Sequence, residues 1–320
     1  MSLVVHQGNT DPFVLRLTGH KGPILSNRFN DDGSLLASGG VDRNLCIWRV
    51  PESPQDIKEE LQFEFNVTNI TKSAITSIRW SQTNENHLFV ASADSTASIF
   101  DIVKNRKVKT FHHKSCINDL SNSSSDTLVT CSDDGAVKLW DFRSRFELDT
   151  ISSKYPVLSC AIAKKDYRFY FAGINPSVMA YDARKRNELC WEETNHTNNV
   201  TSLSLSPDDS YLLSRSVDNT IKYYDARLSS KGKRARPYIF DGSRSSNEDF
   251  LIRSQIVKKL DGKEYVISGS NDAHVYVWEF ASRRVVSRLD GHIGAVLDVD
   301  SNSGRLVSGS IDGSLILRSF

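Results

Sequence analysis

Cys131-Ser132-Asp133-Asp134-Gly135-Ala136-Val137-Lys138-Leu139-Trp140-Asp141 is the stretch from which the rest of the chain can be read. Asp134-Gly135 is a tight-turn pair, because Asp hydrogen-bonds its own following backbone and Gly accepts positive φ. The run Ala136 to Trp140 after it is short, apolar and aromatic-ended, as a buried strand is. Starting from Thr130, a small hydroxyl residue is followed four positions later by an acid and six further on by an aromatic. The same spacing recurs at Ser38, Asp42 and Trp48, at Ser214, Asp218 and Tyr224, and at Ser268, Asp272 and Trp278.

Extended along the chain, the acidic position falls at Asp42, Asp94, Asp134, Asn175, Asp218, Asp272 and Asp312, with gaps of 52, 40, 41, 43, 54 and 40 residues. Seven units at this period are the mark of WD repeats, each one a four-stranded sheet. Each unit holds Val, Ile, Leu and aromatic runs punctuated by Gly, Asp, Asn and Ser, and none reads as a long helix. The expected fold is all-β, a seven-bladed WD40 β-propeller occupying residues 1–320 as a single domain with a short tail at 1–11. After Asp312 only one strand remains, Ser314 to Phe320, whereas Phe13-Val14-Leu15-Arg16-Leu17 precedes the first unit without a blade of its own. That N-terminal strand is expected to complete the last blade and close the ring. Basic residues among apolar ones in Lys107 to Phe111 and Arg283 to Leu289 suit outer strands, where charge discourages edge-to-edge pairing.

Composition bounds the function. The 320 residues are 39% hydrophobic and 25% charged, as in ordinary globular proteins. Lys and Arg number 40 against 39 Asp and Glu, so the net charge of +1 supplies no overall field toward nucleic acid or membrane, and any RNA contact must be local. No apolar stretch has signal-peptide or membrane-spanning length, so the chain is expected neither to be exported by that route nor to cross a membrane. The scattered cysteines Cys46, Cys116, Cys131, Cys160 and Cys190 contain no C-x-x-C pair and read as reduced thiols. Asn-x-Ser/Thr sequons at Asn66, Asn69, Asn122, Asn195 and Asn199 read as chance in a chain without a secretory signal.

His20, Ser38 and Asp42 supply the residue types of a hydrolase triad. Yet the set recurs as His292, Ser308 and Asp312 and as His196, Ser214 and Asp218. Repetition favours an internal network, because catalysis needs one shaped pocket while a repeated fold needs the same bonds in each unit. His20, Ser38, Asp42 and Trp48 are therefore read as a structural tetrad. No metal-ligand spacing, phosphate loop or nucleophile elbow occurs, so no catalytic residue, metal, cofactor or small-molecule substrate is expected. Candidate partner contacts lie where spacing departs from the repeat or where a motif stands out. The insertion around Pro51 to Glu64 is partly acidic; the one from Leu228 to Asp249 carries Lys231, Lys233, Arg234 and Arg236, a cluster suited to phosphates or to nuclear import. Three units end in aromatic-Asp-x-Arg, placing Arg143, Arg184 and Arg227 either in ion pairs within the blade or toward a partner. Such endings also occur in propellers that serve as substrate adaptors of cullin-type ubiquitin ligases, which is the alternative reading.

Several phrases carry a more specific likeness: Leu17-Thr18-Gly19-His20, the Cys131 to Asp141 stretch, Tyr155-Pro156-Val157-Leu158, and Val200 to Ser206 running into Ser210 to Ser214 and Asp218-Asn219-Thr220-Ile221. With these the chain resembles the 40-kDa WD-repeat proteins of the spliceosomal U5 ribonucleoprotein from about Leu15 to Phe320. The resemblance implies a non-catalytic protein-binding scaffold in the nucleus, acting in pre-mRNA splicing and docked against the large central protein and the GTPase of the U5 particle. Departures are Asn175 for the acid of unit four, missing Gly-His pairs in units two, four and six, and Phe100, Tyr181, Tyr224 and Arg318 where Trp is usual.

Overall fold

The computed structural model describes residues 13–51, 63–165, 167–185, 188–227, 237–243, 250–259 and 261–320. These residues form seven antiparallel sheets of four strands and, among the described residues, no helix. Blade 1 runs outward from the axis as Ile24–Phe29, Leu35–Gly40, Leu45–Arg49 and Phe63–Val67. The innermost strands of the next five blades are Ile75–Trp80, Ile117–Asn122, Val157–Ile162, Val200–Leu205 and Ser254–Lys258. Blade 7 is Val296–Asn302, Arg305–Ser310 and Ser314–Ser319, and its outermost strand is Val14–Thr18 from the other end of the chain.

The closure has the register Val14 opposite Arg318 through Thr18 opposite Ser314. The strand sits one residue later than the sequence reading of Phe13 to Leu17, although the Phe13 carbonyl still accepts a hydrogen bond from the Ser319 amide at 2.9 Å. Alternation explains the strand's hold. Leu15 and Leu17 are buried in one apolar cluster with Leu315 and Leu317 of blade 7 and Leu36 and Trp48 of blade 1, while Arg16 on the opposite side pairs with Asp312 at 3.0 Å.

The core lies between blades. Ile99 and Phe111 of blade 2 meet Leu128 and Trp140 of blade 3, and Ile221 and Phe240 of blade 5 meet Val266 and Trp278 of blade 6. A middle strand is therefore covered on both faces by its neighbours, which is why Val275 to Trp278 is buried throughout. Turn chemistry supports the geometry: Gly135 has φ of +76°, and a Cβ there would lie 2.6 Å from the Ser153 carbonyl. The outer strands of blades 2 and 6 are Arg106–His112 and Val285–Leu289, mostly exposed, and their charges fall on the open edges as the sequence indicates.

Removing residues 1–18 takes the fourth strand from blade 7 and exposes the cluster beneath Leu15 and Leu17. Fully burying one such Leu is worth about 1.5–3 kcal/mol, so the truncated chain is expected to lose at least ~3 kcal/mol of stability with the strand's five backbone pairings. A calorimetric melt superimposable on that of the full chain contradicts this closure.

Candidate functional site

The tetrad of blade 1 is built across the turn before the innermost strand. His20 Nδ1 lies 3.0 Å from Asp42 Oδ2, its Nε2 lies 2.8 Å from Ser38 Oγ, and Trp48 Nε1 donates to that same Oγ at 2.9 Å. A carboxylate only accepts, so the neutral ring carries its proton on Nδ1 and accepts the Ser38 hydroxyl on Nε2. This is the bonding order of a hydrolase triad. What differs is access: the His20 ring and Ser38 are 0% exposed, and the hydroxyl's acceptor side is taken by Trp48. The Lys21 amide also donates to Asp42, at 3.0 Å, pinning the turn. Burial alone would raise the Asp42 carboxyl, but hydrogen bonding to and charge from His20 overcome it and bring the group down to about 2.

The arrangement is repeated in blade 3 by His113, Asp134, Thr130 and Trp140, with His113 Nε2 at 2.7 Å from Thr130 and Trp140 Nε1 donating to Thr130 at 2.8 Å. Sequence reading passes over His113, which follows His112 where Gly precedes His20 and His292 and Asn precedes His196; its spacing of 17 residues before Thr130 is the available signal. Blade 5 has His196 against Asp218 at 2.9 Å and Ser214 at 2.7 Å. Blade 7 has His292 at 2.8 Å from Ser308, but 3.6 Å from Asp312, and Arg318 in place of Trp reaches back to the Asp290 carbonyl at 2.7 Å. In blade 6 the Trp survives without the histidine, and Trp278 donates to the Asp241 carbonyl instead at 2.7 Å.

Arg143, Arg184 and Arg227 all fold onto the Asp two residues earlier. Nε and Nη2 of Arg143 straddle Asp141 at 3.2 Å each, those of Arg184 meet Asp182 at 3.0 and 2.6 Å, and Nε of Arg227 lies 2.9 Å from Asp225. Their backbone amides bond the same carboxylates. The motif thus closes its own turn while leaving the arginines 65–77% exposed. Lys231, Lys233, Arg234 and Arg236 lie outside the described residues.

A second polar system, unseen in the sequence, fills the axis. The third residue of the innermost strand is Ser26, Ser77, Ser159 and Ser202 in blades 1, 2, 4 and 5, but Asp119 and Asp298 in blades 3 and 7. Asp119 accepts from Ser77 and Ser159, both at 2.8 Å, and Asp298 pairs with Arg28 at 2.7 Å. Arg253 of blade 6 reaches across to Asp119 at 3.1 Å, the Thr76 carbonyl at 3.0 Å and Ser26 at 3.3 Å. Beyond this lattice a cavity of about 520 Å³ opens between the ends of the innermost strands, with Arg28, Arg79, Asn122, Lys164, Ser204 and Asp300 in its wall. Burial and the neighbouring Arg28 lower Arg79 to about 10, and burial raises Asp300.

The WD domain, G-beta repeat family matches at residues 12–49, 105–141, 188–225 and 283–318. Pre-mRNA-splicing factor cwf17 of Schizosaccharomyces pombe is 32% identical over 289 residues, 89% of this chain and 81% of that protein. The U5 small nuclear ribonucleoprotein 40 kDa protein of Homo sapiens is 31% identical over 286 residues, 89% of this chain and 77% of that protein.

The chain belongs to the U5 40-kDa WD-repeat family.

A more distant relative, Protein SPA1-RELATED 3 of Arabidopsis thaliana, is 25% identical over 258 residues and is matched over only 29% of its length. In this U5 40-kDa family member the tetrads predict two measurable behaviours. Ser38→Ala removes the hydroxyl shared by His20 Nε2 and Trp48 Nε1, and a buried ring nitrogen deprived of its partner costs about 1–3 kcal/mol. A loss of about 1–3 kcal/mol in denaturant unfolding is expected; a loss within ~0.5 kcal/mol, the range of a neutral surface change, refutes the tetrad's role.

Burial lowers His113, His196 and His292 below the ordinary 6.5. A histidine held neutral by the fold contributes stability that is present above its unfolded pKa and is lost as pH falls toward the folded value. Asp42 works in the same direction lower down, its contribution vanishing between 3.8 and about 2. The melting temperature is therefore expected to hold above pH 7, to begin falling near pH 6.5 and to keep falling below pH 4; a flat profile from pH 8 to pH 5 rules this linkage out.

Proposed function

We propose that this chain is a non-catalytic scaffold of the U5 ribonucleoprotein in the nucleus, holding other splicing proteins in place during pre-mRNA splicing. The observation that carries the reading is relatedness to splicing factors that covers 89% of the chain and is not confined to one shared motif. The physical picture agrees: the His20 ring and Ser38 of blade 1, which with Asp42 resemble a reactive centre, are buried and engaged with one another and with Trp48, whereas the wide outer surfaces are preformed and lose little entropy on docking. Its partners in this reading are the large central protein and the GTPase of the U5 particle, with local RNA contact through Lys231, Lys233, Arg234 and Arg236. The aromatic-Asp-x-Arg endings that suggested a ubiquitin-ligase adaptor serve their own turns, so that reading is not carried further.

Affinity purification of the tagged chain from nuclear extract tests the assignment. Recovery of U5 RNA together with the largest splicing proteins is expected. Recovery of a cullin adaptor in their place, or of neither, rejects it.

A further inference from the structure

We propose that the rim of blades 2 and 3 is a binding surface for single-stranded RNA, separate from the basic segment at 231–236. Between Asp101 and Asp119 there is no acidic residue, while Lys104, Arg106, Lys107, Lys109 and Lys114 fall in that interval. In a chain whose 40 cations balance 39 acids, this is a local excess. The outer strand Arg106–His112 presents Arg106 and Lys107 to solvent, in no ion pair among the described residues, while Lys104 before it pairs with Asp101 at 3.1 Å.

Lys109 joins this strand to the next blade. Its ammonium donates to the Asp141 carbonyl at 3.2 Å, to the Phe142 carbonyl at 2.8 Å, and to the Ser144 carbonyl. The turn it grips reads Phe142-Arg143-Ser144-Arg145-Phe146. Phe142 is 45% exposed and Phe146 is 70% exposed, each with an arginine over its ring, at 5.6 Å for Arg143 and 5.9 Å for Arg145. Asp141, the acid within the turn, is occupied by Arg143.

Cations aligned along a strand attract a phosphate backbone, and π faces standing clear of the surface accept bases by stacking. Phe146 ends that turn, directly before the strand Glu147–Ser152, and at 70% exposure it offers a ring face to solvent. That favours splayed bases over the side-chain anchors of a protein partner, which bind in recesses. A duplex is disfavoured because its bases are already stacked.

The test uses the purified full chain and a fluorescein-labelled oligouridine of about 12 nucleotides, followed by fluorescence anisotropy at roughly 50 and 200 mM KCl. Saturable, salt-weakened binding is expected. Phe146→Ala should weaken it about tenfold while preserving the salt dependence. Lys107→Gln with Arg145→Gln should weaken it and lower the salt slope by roughly 0.7 for each phosphate that is no longer neutralised. All three positions are exposed, so equal melting temperatures verify the fold of the variants. Absence of saturable binding at the lower salt overturns the proposal, as does unaltered affinity in Phe146→Ala. Displacement of the oligouridine by an equal charge of polyglutamate also overturns it, and assigns the rim to an acidic protein segment. Neutralising residues 231–236 should leave the Phe146-dependent part of the binding intact; its disappearance moves the site to that segment. Because the assay contains no other component of the particle, failure here leaves the scaffold reading standing.

Discussion

Everything in this molecule depends on a seam between residues that are nearly a full chain apart. A circular array of sheets is stable only when the last sheet meets the first, and here the meeting is made by five backbone pairings, Val14 with Arg318 through Thr18 with Ser314. The apolar side of that strand then fills the space between blades 7 and 1 with Leu15 and Leu17. Contacts of such sequence separation are entropically costly to form, because a long loop must close before any of them gains. Once made, they leave no blade with an uncovered inner face, and the tetrads, the axial charges and the outer rims all become fixed relative to one another.

The tetrads illustrate how a repeated fold reuses the groups of a catalytic device without its chemistry. In blade 1 the order carboxylate, imidazole and hydroxyl is intact, but an indole N–H occupies the hydroxyl and no exposed surface reaches it. The blades differ in how completely they keep the set, at the histidine as well as at the aromatic position. Trp48 and Trp140 complete the bond to the hydroxyl, while Arg318 turns its guanidinium to a backbone carbonyl. Where the histidine is absent, Trp278 finds a carbonyl of its own. Buried donors are satisfied by whichever acceptor the local loop supplies.

The blade count, the closing strand and the tetrad of blade 1 are legible in the sequence because each is written in local spacing: a turn pair, a period near 40, an unpaired strand at the start. His113 escapes such a reading because His112 stands before it instead of the Gly or Asn that precedes the other tetrad histidines, whereas the bonding requires only the imidazole. The axial lattice is illegible for a different reason. Ser26, Ser77, Asp119, Ser159 and Asp298 are ordinary alternating strand residues in their own blades, and their meeting depends on seven innermost strands being wrapped around one axis. Charge excess between Asp101 and Asp119 is visible as composition, but its connection to the Phe142 to Phe146 turn rests on the reach of one ammonium, Lys109, across a blade boundary.

Arg253 gives the axis a final consequence. A ring of seven sheets has a hole through it, and in principle a strand of peptide or nucleic acid could be threaded there. This guanidinium, bonded at once to groups from blades 1, 2 and 3 while rooted in blade 6, bars the bore like a crossbeam. A chain that meets this protein therefore lies against its faces or around its circumference, and is not strung through it as a bead is on a thread.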